Sequence, residues 1–308
     1  MLPSLPAVPE RGRVPPAPFL STGRKRLAGR LGRLLGLFLV LAAIPVPSPA
    51  VPGGRDFGRT VPDVRPIGDA EAAEVIEEFR ASRGGPDSIL ESRLAYYPRT
   101  GRKTVRDVGI RTGWEGPVLY LRVDWSGGAD SAAVRRFLFR AGPDPAGWAW
   151  DAEEEKAAPL AREDFLRPLV PGMDITAFDL TAPYLDWKDF SYDGSERVSG
   201  SPAHWFRFGP PPAWETALAG AGIDRIRVAL DTRFDAPIRV EYLGPGNEVR
   251  RTLEARSFKK VSETWIVQRL EAFDEKSRDR TELTVVDAVV EISLPRSVFR
   301  PEGLSGAD

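Results

Sequence analysis

Apolar and polar residues alternate strictly along much of the C-terminal third of the chain. Ile226, Val228 and Leu230 alternate with Arg225, Arg227 and Asp231, and Ile238, Val240 and Tyr242 alternate with Arg239 and Glu241. Val249, Leu253 and Ala255 then stand among Arg250, Thr252, Glu254 and Arg256. A period of two puts one set of side chains on each face of a strand. Gly244-Pro245-Gly246-Asn247 separates two such runs, and these residues accept the dihedrals of a tight turn. Two further runs, Thr264 to Phe273 and Thr281 to Ile292, flank the charged stretch Asp274 to Asp279. No amphipathic helix intervenes, so parallel crossovers have no room. The pattern predicts consecutive antiparallel strands from Asp224 to Ile292, paired neighbour to neighbour, apolar on one face and wet on the other.

The period changes near the start of the folded body. Ala72, Val75, Ile76 and Phe79 form a helical stripe, while Glu71, Glu74, Glu77 and Glu78 fall on the other side. The spacing predicts a helix from Asp69 to about Ser82, ended by Gly84-Gly85-Pro86. Strand-like runs return from Ser92, with a turn at Arg99-Thr100-Gly101. They continue through Thr104 to Thr112, Val118 to Trp125 and Val134 to Phe139, and close at Gly147 to Asp151.

Between Pro159 and Pro212 every period breaks. Proline and glycine punctuate a stretch that still carries Phe165, Leu166, Met173, Phe178, Leu180, Tyr184, Leu185, Trp187 and Trp205. A long apolar segment without regular strands covers a face or lines a space. Phe178, Leu180, Tyr184, Leu185, Trp187 and Trp205 are therefore the candidate side chains for an apolar cavity and its lid. A segment that simply caps a solid core is the competing reading, and the residues alone leave both open.

Composition narrows the chemistry. The 308 residues contain no cysteine and one histidine, His204, which excludes disulfides, thiolate nucleophiles and multi-histidine metal sites. Seven of the 43 basic and one of the 44 acidic residues precede Val51, so the remainder carries a net charge of −7. An acidic body argues against nucleic acid as a partner. The basic cluster Arg24-Lys25-Arg26, Arg30 and Arg33 precedes the apolar run Leu34 to Ile44, followed by small residues at Ser48 and Ala50. That succession predicts a cleavable secretory signal peptide over residues 1–50, a flexible leader over 51–68 and a single domain over 69–308. A membrane anchor is the alternative, but a spanning helix needs about 20 apolar residues and this run stops at Pro45.

Catalytic motifs are not evident. No phosphate-binding glycine loop is present. Asp189 to Gly194 imitates the start of an EF-hand, but Gly200 stands where the loop requires a bidentate glutamate. His204 has no serine-elbow motif beside it and reads as a structural histidine. No cofactor, no metal and no enzymatic activity are expected.

Several stretches together carry a resemblance: Ile226 to Asp231, Pro237 to Tyr242, Gly246, Arg251-Thr252-Leu253, Phe258 to Val261, Trp265, Thr281 to Val285, and Val298-Phe299 with Leu304. They resemble the C-terminal half of outer-membrane lipoprotein-sorting proteins, the LolA-like periplasmic carriers. Gly172 to Leu180, with Asp174 and Asp179, resembles the aspartate-containing segment before the lid in that family. The resemblance implies an α+β, mainly β fold: an incomplete antiparallel β-barrel whose helices and loops close over an apolar cavity. It further implies a periplasmic carrier or binder of lipoprotein acyl chains or lipids, working between inner- and outer-membrane transport partners. In such carriers an early-strand arginine holds the lid closed, and Arg93 and Arg106 are the candidates here. A lipid-sensing regulator with the same half-barrel is the alternative; an enzyme acting on lipid or glycan is the third reading.

Overall fold

The chain's first and last strands pair side by side in the middle of its sheet. The structure, a computed structural model, describes residues 64–126, 134–151, 154–234 and 236–306. The expected signal peptide and most of the leader lie outside these residues. The helix α1 (Asp69–Ser82) is followed by β1 (Asp87–Tyr97), β2 (Thr104–Glu115), β3 (Val118–Ser126), β4 (Val134–Arg140), β5 (Ala146–Asp151) and β6 (Lys156–Pro159). Then come α2 (Ala177–Thr181), β7 (Phe190–Val198), β8 (Ser201–Phe208), α3 (Pro212–Gly220), β9 (Arg225–Asp231) and β10 (Ala236–Leu243). The strands β11 (Val249–Val261), β12 (Thr264–Asp274) and β13 (Arg280–Ile292) complete one antiparallel sheet, ordered β6-β5-β4-β3-β2-β1-β13-β12-β11-β10-β9-β8-β7. Two meanders thus meet at the β1–β13 seam, with Leu94 opposite Leu283. The outermost strands β6 and β7 do not pair, so the sheet remains an open half-barrel.

The alternation from Asp224 onward translates directly into strands β9 to β13, each paired with its neighbour. Between Ile238 and Ala255 the only helical geometry is a three-residue 3-10 turn, Pro245–Asn247, in which Gly246 takes φ 81°. The predicted helix is α1, with Ala72, Ile76 and Phe79 buried against the sheet's inner face.

Three expectations need correction. The first strand begins at Asp87, not Ser92; Asp87 accepts bonds from the backbone of Trp114 on β2 and of Leu294 just after β13, which ties β1 to both of its neighbours. The centre is not irregular throughout: β7 and β8 form a hairpin within it. Strand β8 was illegible because residues on both its faces are buried, Phe206 and Phe208 inward and Ala203 and Trp205 outward, leaving no polar phase to read. Nor is the outer face wet throughout. In β10 the charged Glu241 is buried, because Arg227 of β9 and Arg239 of β10 itself cover it.

Two segments clothe the sheet. The crossing from β6 to β7 runs over the inner face through a 3-10 turn at Arg162–Leu166, then α2, then a 3-10 turn at Pro183–Asp186. The helix α1 holds that crossing: Arg80 donates to the carbonyls of Leu185 (2.8 Å) and Trp187 (2.5 Å), and Arg83 pairs with Asp186. On the outer face, the C-terminal turns Arg296–Phe299 and Pro301–Ser305 lie over Tyr120, Leu138 and Trp148. There Arg122, 1% exposed, donates to the carbonyls of Gly303 and Gly306.

Candidate functional site beneath the crossing segment

The crossing segment supplies most of the predicted cavity residues. Phe178, Leu180, Tyr184, Leu185 and Trp187 all lie in the inner-face core, none more than 6% exposed. Phe178 is the hub of the aromatic contacts. Its ring centroid lies 5.0 Å from Trp214, 5.5 Å from Tyr184, 6.1 Å from Trp187 and 6.1 Å from Tyr242. The side chains interlock with the sheet as one continuous apolar core. Trp205 is not among them. It faces the outer side of the sheet with Val198, Ala203, Ala229 and Ile238, beneath the guanidinium of Arg227 at 3.9 Å.

One polar group pins this apolar segment to the sheet. Thr176 caps α2: its hydroxyl accepts from the Asp179 amide at 3.1 Å, and Asp179 accepts from the Thr176 amide at 2.8 Å. That reciprocal capping fixes the Asp179 carboxylate in the core, fully buried. Arg251 of β11 reaches it with two bonds, 2.6 Å to Oδ1 and 2.7 Å to Oδ2, and Tyr242 of β10 donates to Oδ1 at 2.5 Å. The same guanidinium donates to the Asp174 side chain (3.0 Å) and to the Asp174 carbonyl (2.7 Å). A bidentate guanidinium–carboxylate pair with further donors satisfies a buried charge that would otherwise be costly.

The two aspartates titrate in opposite directions. Burial alone would raise Asp179, but the Arg251 charge and the bonds from Arg251, Tyr242 and Thr176 hold it below the usual carboxylate range. At Asp174 burial wins over the same arginine, and its carboxyl is raised. Burial, together with the Asp179 charge, pushes the Tyr184 and Tyr242 phenols well above their ordinary value. Arg251 therefore stays charged and Tyr242 neutral, which is the arrangement the bonds require.

Neither arginine proposed from the sequence holds the segment. Arg93 pairs with Asp107 on the solvent side, and Arg106 donates to the carbonyl of Val105. Arg251 was detectable by phase: it falls on the apolar face with Val249, Leu253 and Ala255, where a charge requires a buried partner. Beside it an open cleft of about 440 Å³ runs to solvent. Its floor includes Phe178, Tyr242, Leu166 and Ile223, and its rim is charged, with Asp174, Arg250, Asp274 and Lys276. His204 sits elsewhere, its Nδ1 2.7 Å from the Ser195 hydroxyl, which also meets the Tyr192 hydroxyl. No group of metal ligands occurs among the described residues.

A family described as uncharacterized protein-like matches residues 135–306, more than half of the chain. The chain belongs to that family. The matched region contains the crossing segment, Asp174, Asp179 and Arg251. None of the curated proteins matches the chain in sequence. Among solved structures it is similar to an outer membrane lipoprotein-sorting protein domain from Vibrio parahaemolyticus, at 16% identity and TM-score 0.64, over 77% of this chain and 98% of that one. A DUF1329 family protein from Desulfovibrio piger is similar at 16% identity and TM-score 0.64, over 76% of this chain and 98% of that one. A LolA superfamily protein from Nitrosomonas europaea is similar at 11% identity and TM-score 0.57, over 77% of this chain and all of that one. The fold of this family member is LolA-like, as the strand and turn residues implied.

Proposed function

We propose that the protein binds acyl chains of lipoproteins or lipids on the inner face of its half-barrel, as a periplasmic carrier in outer-membrane lipoprotein sorting. The observation that carries this reading is the apolar crossing segment tied to the LolA-like sheet through Arg251 and Asp179. Release of that tie lets α2 and the turn after it lift from the sheet. Phe178, Leu180, Tyr184, Leu185 and Trp187 then exchange contacts with each other for contacts with an acyl chain, each methylene removed from water contributing about 0.8 kcal/mol. The cleft beside Arg251 is the entrance, and its charged rim leaves a polar head in water. The domain would begin near Asp69, after a signal peptide removed at Ala50. No helix among the described residues is long and apolar enough to cross a membrane.

Protein purified from the cell envelope should carry acylated molecules, identified by extraction and mass spectrometry. The delipidated chain should bind a fluorescent fatty-acyl probe saturably. A chain that arrives empty and shows no saturable probe binding would remove this function.

A further inference from the structure

The outer face of β10 to β13 carries a second cleft, of about 330 Å³, on the side of the sheet away from the crossing segment. Its charged lining is Arg239, Arg256 and Arg280 against Glu254, Glu271 and Glu275. The register sets Arg239 opposite Glu254 and Glu254 opposite Glu271, so donors and acceptors form a continuous row across the strands. Arg256 donates to Glu254 at 2.7 Å and to Glu271 at 3.0 Å, and Arg280 donates to Glu271 at 3.2 Å. In the adjacent row, between Glu241 and Phe273, lies Thr252, 5% exposed, with a hydroxyl that has no hydrogen-bond partner. Arg239 Nε is ion-paired with Glu241 at 3.1 Å. Phe273 supplies an aromatic wall.

We propose that this cleft binds a neutral polyhydroxylated ligand, a saccharide ring. Three guanidinium groups balance three carboxylates, so a net anion or cation meets as much repulsion as attraction. Adjacent sugar hydroxyls both donate and accept, and therefore match alternating arginine and glutamate. An unpaired buried hydroxyl costs free energy until a partner arrives, and one ring oxygen or hydroxyl reaching the floor supplies it. The volume is in the range of small-molecule sites, roughly 300–1,000 Å³. Water alone on Thr252 is the competing occupant.

Saturation-transfer NMR on the intact protein decides the question, with methyl glucoside, methyl galactoside and N-acetylglucosamine as probes and phosphate and acetate as charged controls. At least one glycoside should bind saturably and neither anion should. Thr252→Val, close in shape and lacking the hydroxyl, should weaken that glycoside at least tenfold without lowering the melting temperature. Arg256→Gln, which upsets the charge balance, should weaken it too and admit no anion. No binding by any glycoside, equal binding by Thr252→Val, or preference for phosphate or acetate would each overturn the proposal. The site lies on the opposite face from the acyl-binding surface, so acyl-probe results bear on neither outcome.

Discussion

Arg251 and Asp179, 72 residues apart, share two hydrogen bonds of 2.6 and 2.7 Å where the crossing segment meets the sheet. Asp179 is fully buried and the Arg251 side chain is only 13% exposed, so each needs the other. Arg251→Met should therefore destabilise the fold by about 3–5 kcal/mol, because it leaves the aspartate's charge unpaired in the core. Combining it with Asp179→Leu should recover much of that loss. Urea unfolding of the two single variants and the double variant tests the coupling, and additive losses would disprove it.

The same pair sets a pH response. Asp179 has its folded pKa depressed, so its contribution is present above the unfolded value of about 3.9 and is lost as pH falls through the folded value. Asp174 is raised, so its folded form takes up a proton first, and stability rises slightly as pH falls through that folded value toward about 3.9. Urea midpoints between pH 7 and pH 3 should show a shallow maximum followed by a fall. Asp174→Asn should flatten the maximum and leave the fall in place.

Packing at the other end of the molecule gives a separate test. A Cβ on Gly113 would lie 2.3 Å from the Phe299 ring, which the C-terminal turns press against the outer face. Gly113→Ala should lower the melting temperature, at a cost of about 1–3 kcal/mol for overpacking. Phe299→Leu in the same chain should recover part of the loss. Independent effects of the two substitutions would show that the turns do not pack there in solution.

Legibility followed periodicity. Helix α1 and strands β9 to β13 are readable because charged and polar residues mark one face of each, even where arginines bury them, as at Glu241. Strand β8 carries buried residues on both faces, and β7 bulges at Gly194, so the same signal vanished in the centre. The apolar crossing residues are nameable from composition, but Trp205 shares only their neighbourhood in sequence, which does not say which side of a strand a residue takes. The tie itself came from two residues that interrupt apolar patterns, Asp179 and Arg251. Only the fold shows that one answers the other.

Leu185 separates a binding surface from an inert core. It is fully buried in the turn after α2, and its carbonyl accepts from Arg80. If the crossing segment lifts to admit an acyl chain, an arginine at this position can turn toward solvent in the lifted state while spoiling the apolar surface. Leu185→Arg should then reduce fluorescent acyl-probe binding at least tenfold, with a smaller proportional loss of unfolding free energy. If the segment never moves, the same substitution places an unpaired charge in a closed core and unfolds the chain. Leu185→Ala guards against simple collapse of the variant. It should leave the protein folded, at a cost of about 2–5 kcal/mol, and keep most of the probe affinity, since it removes volume without adding charge. Measuring probe titrations and urea unfolding on all three proteins places binding and stability on one scale. Parallel losses of both quantities across the series would assign Leu185 to a static core and withdraw the acyl-binding role from this segment.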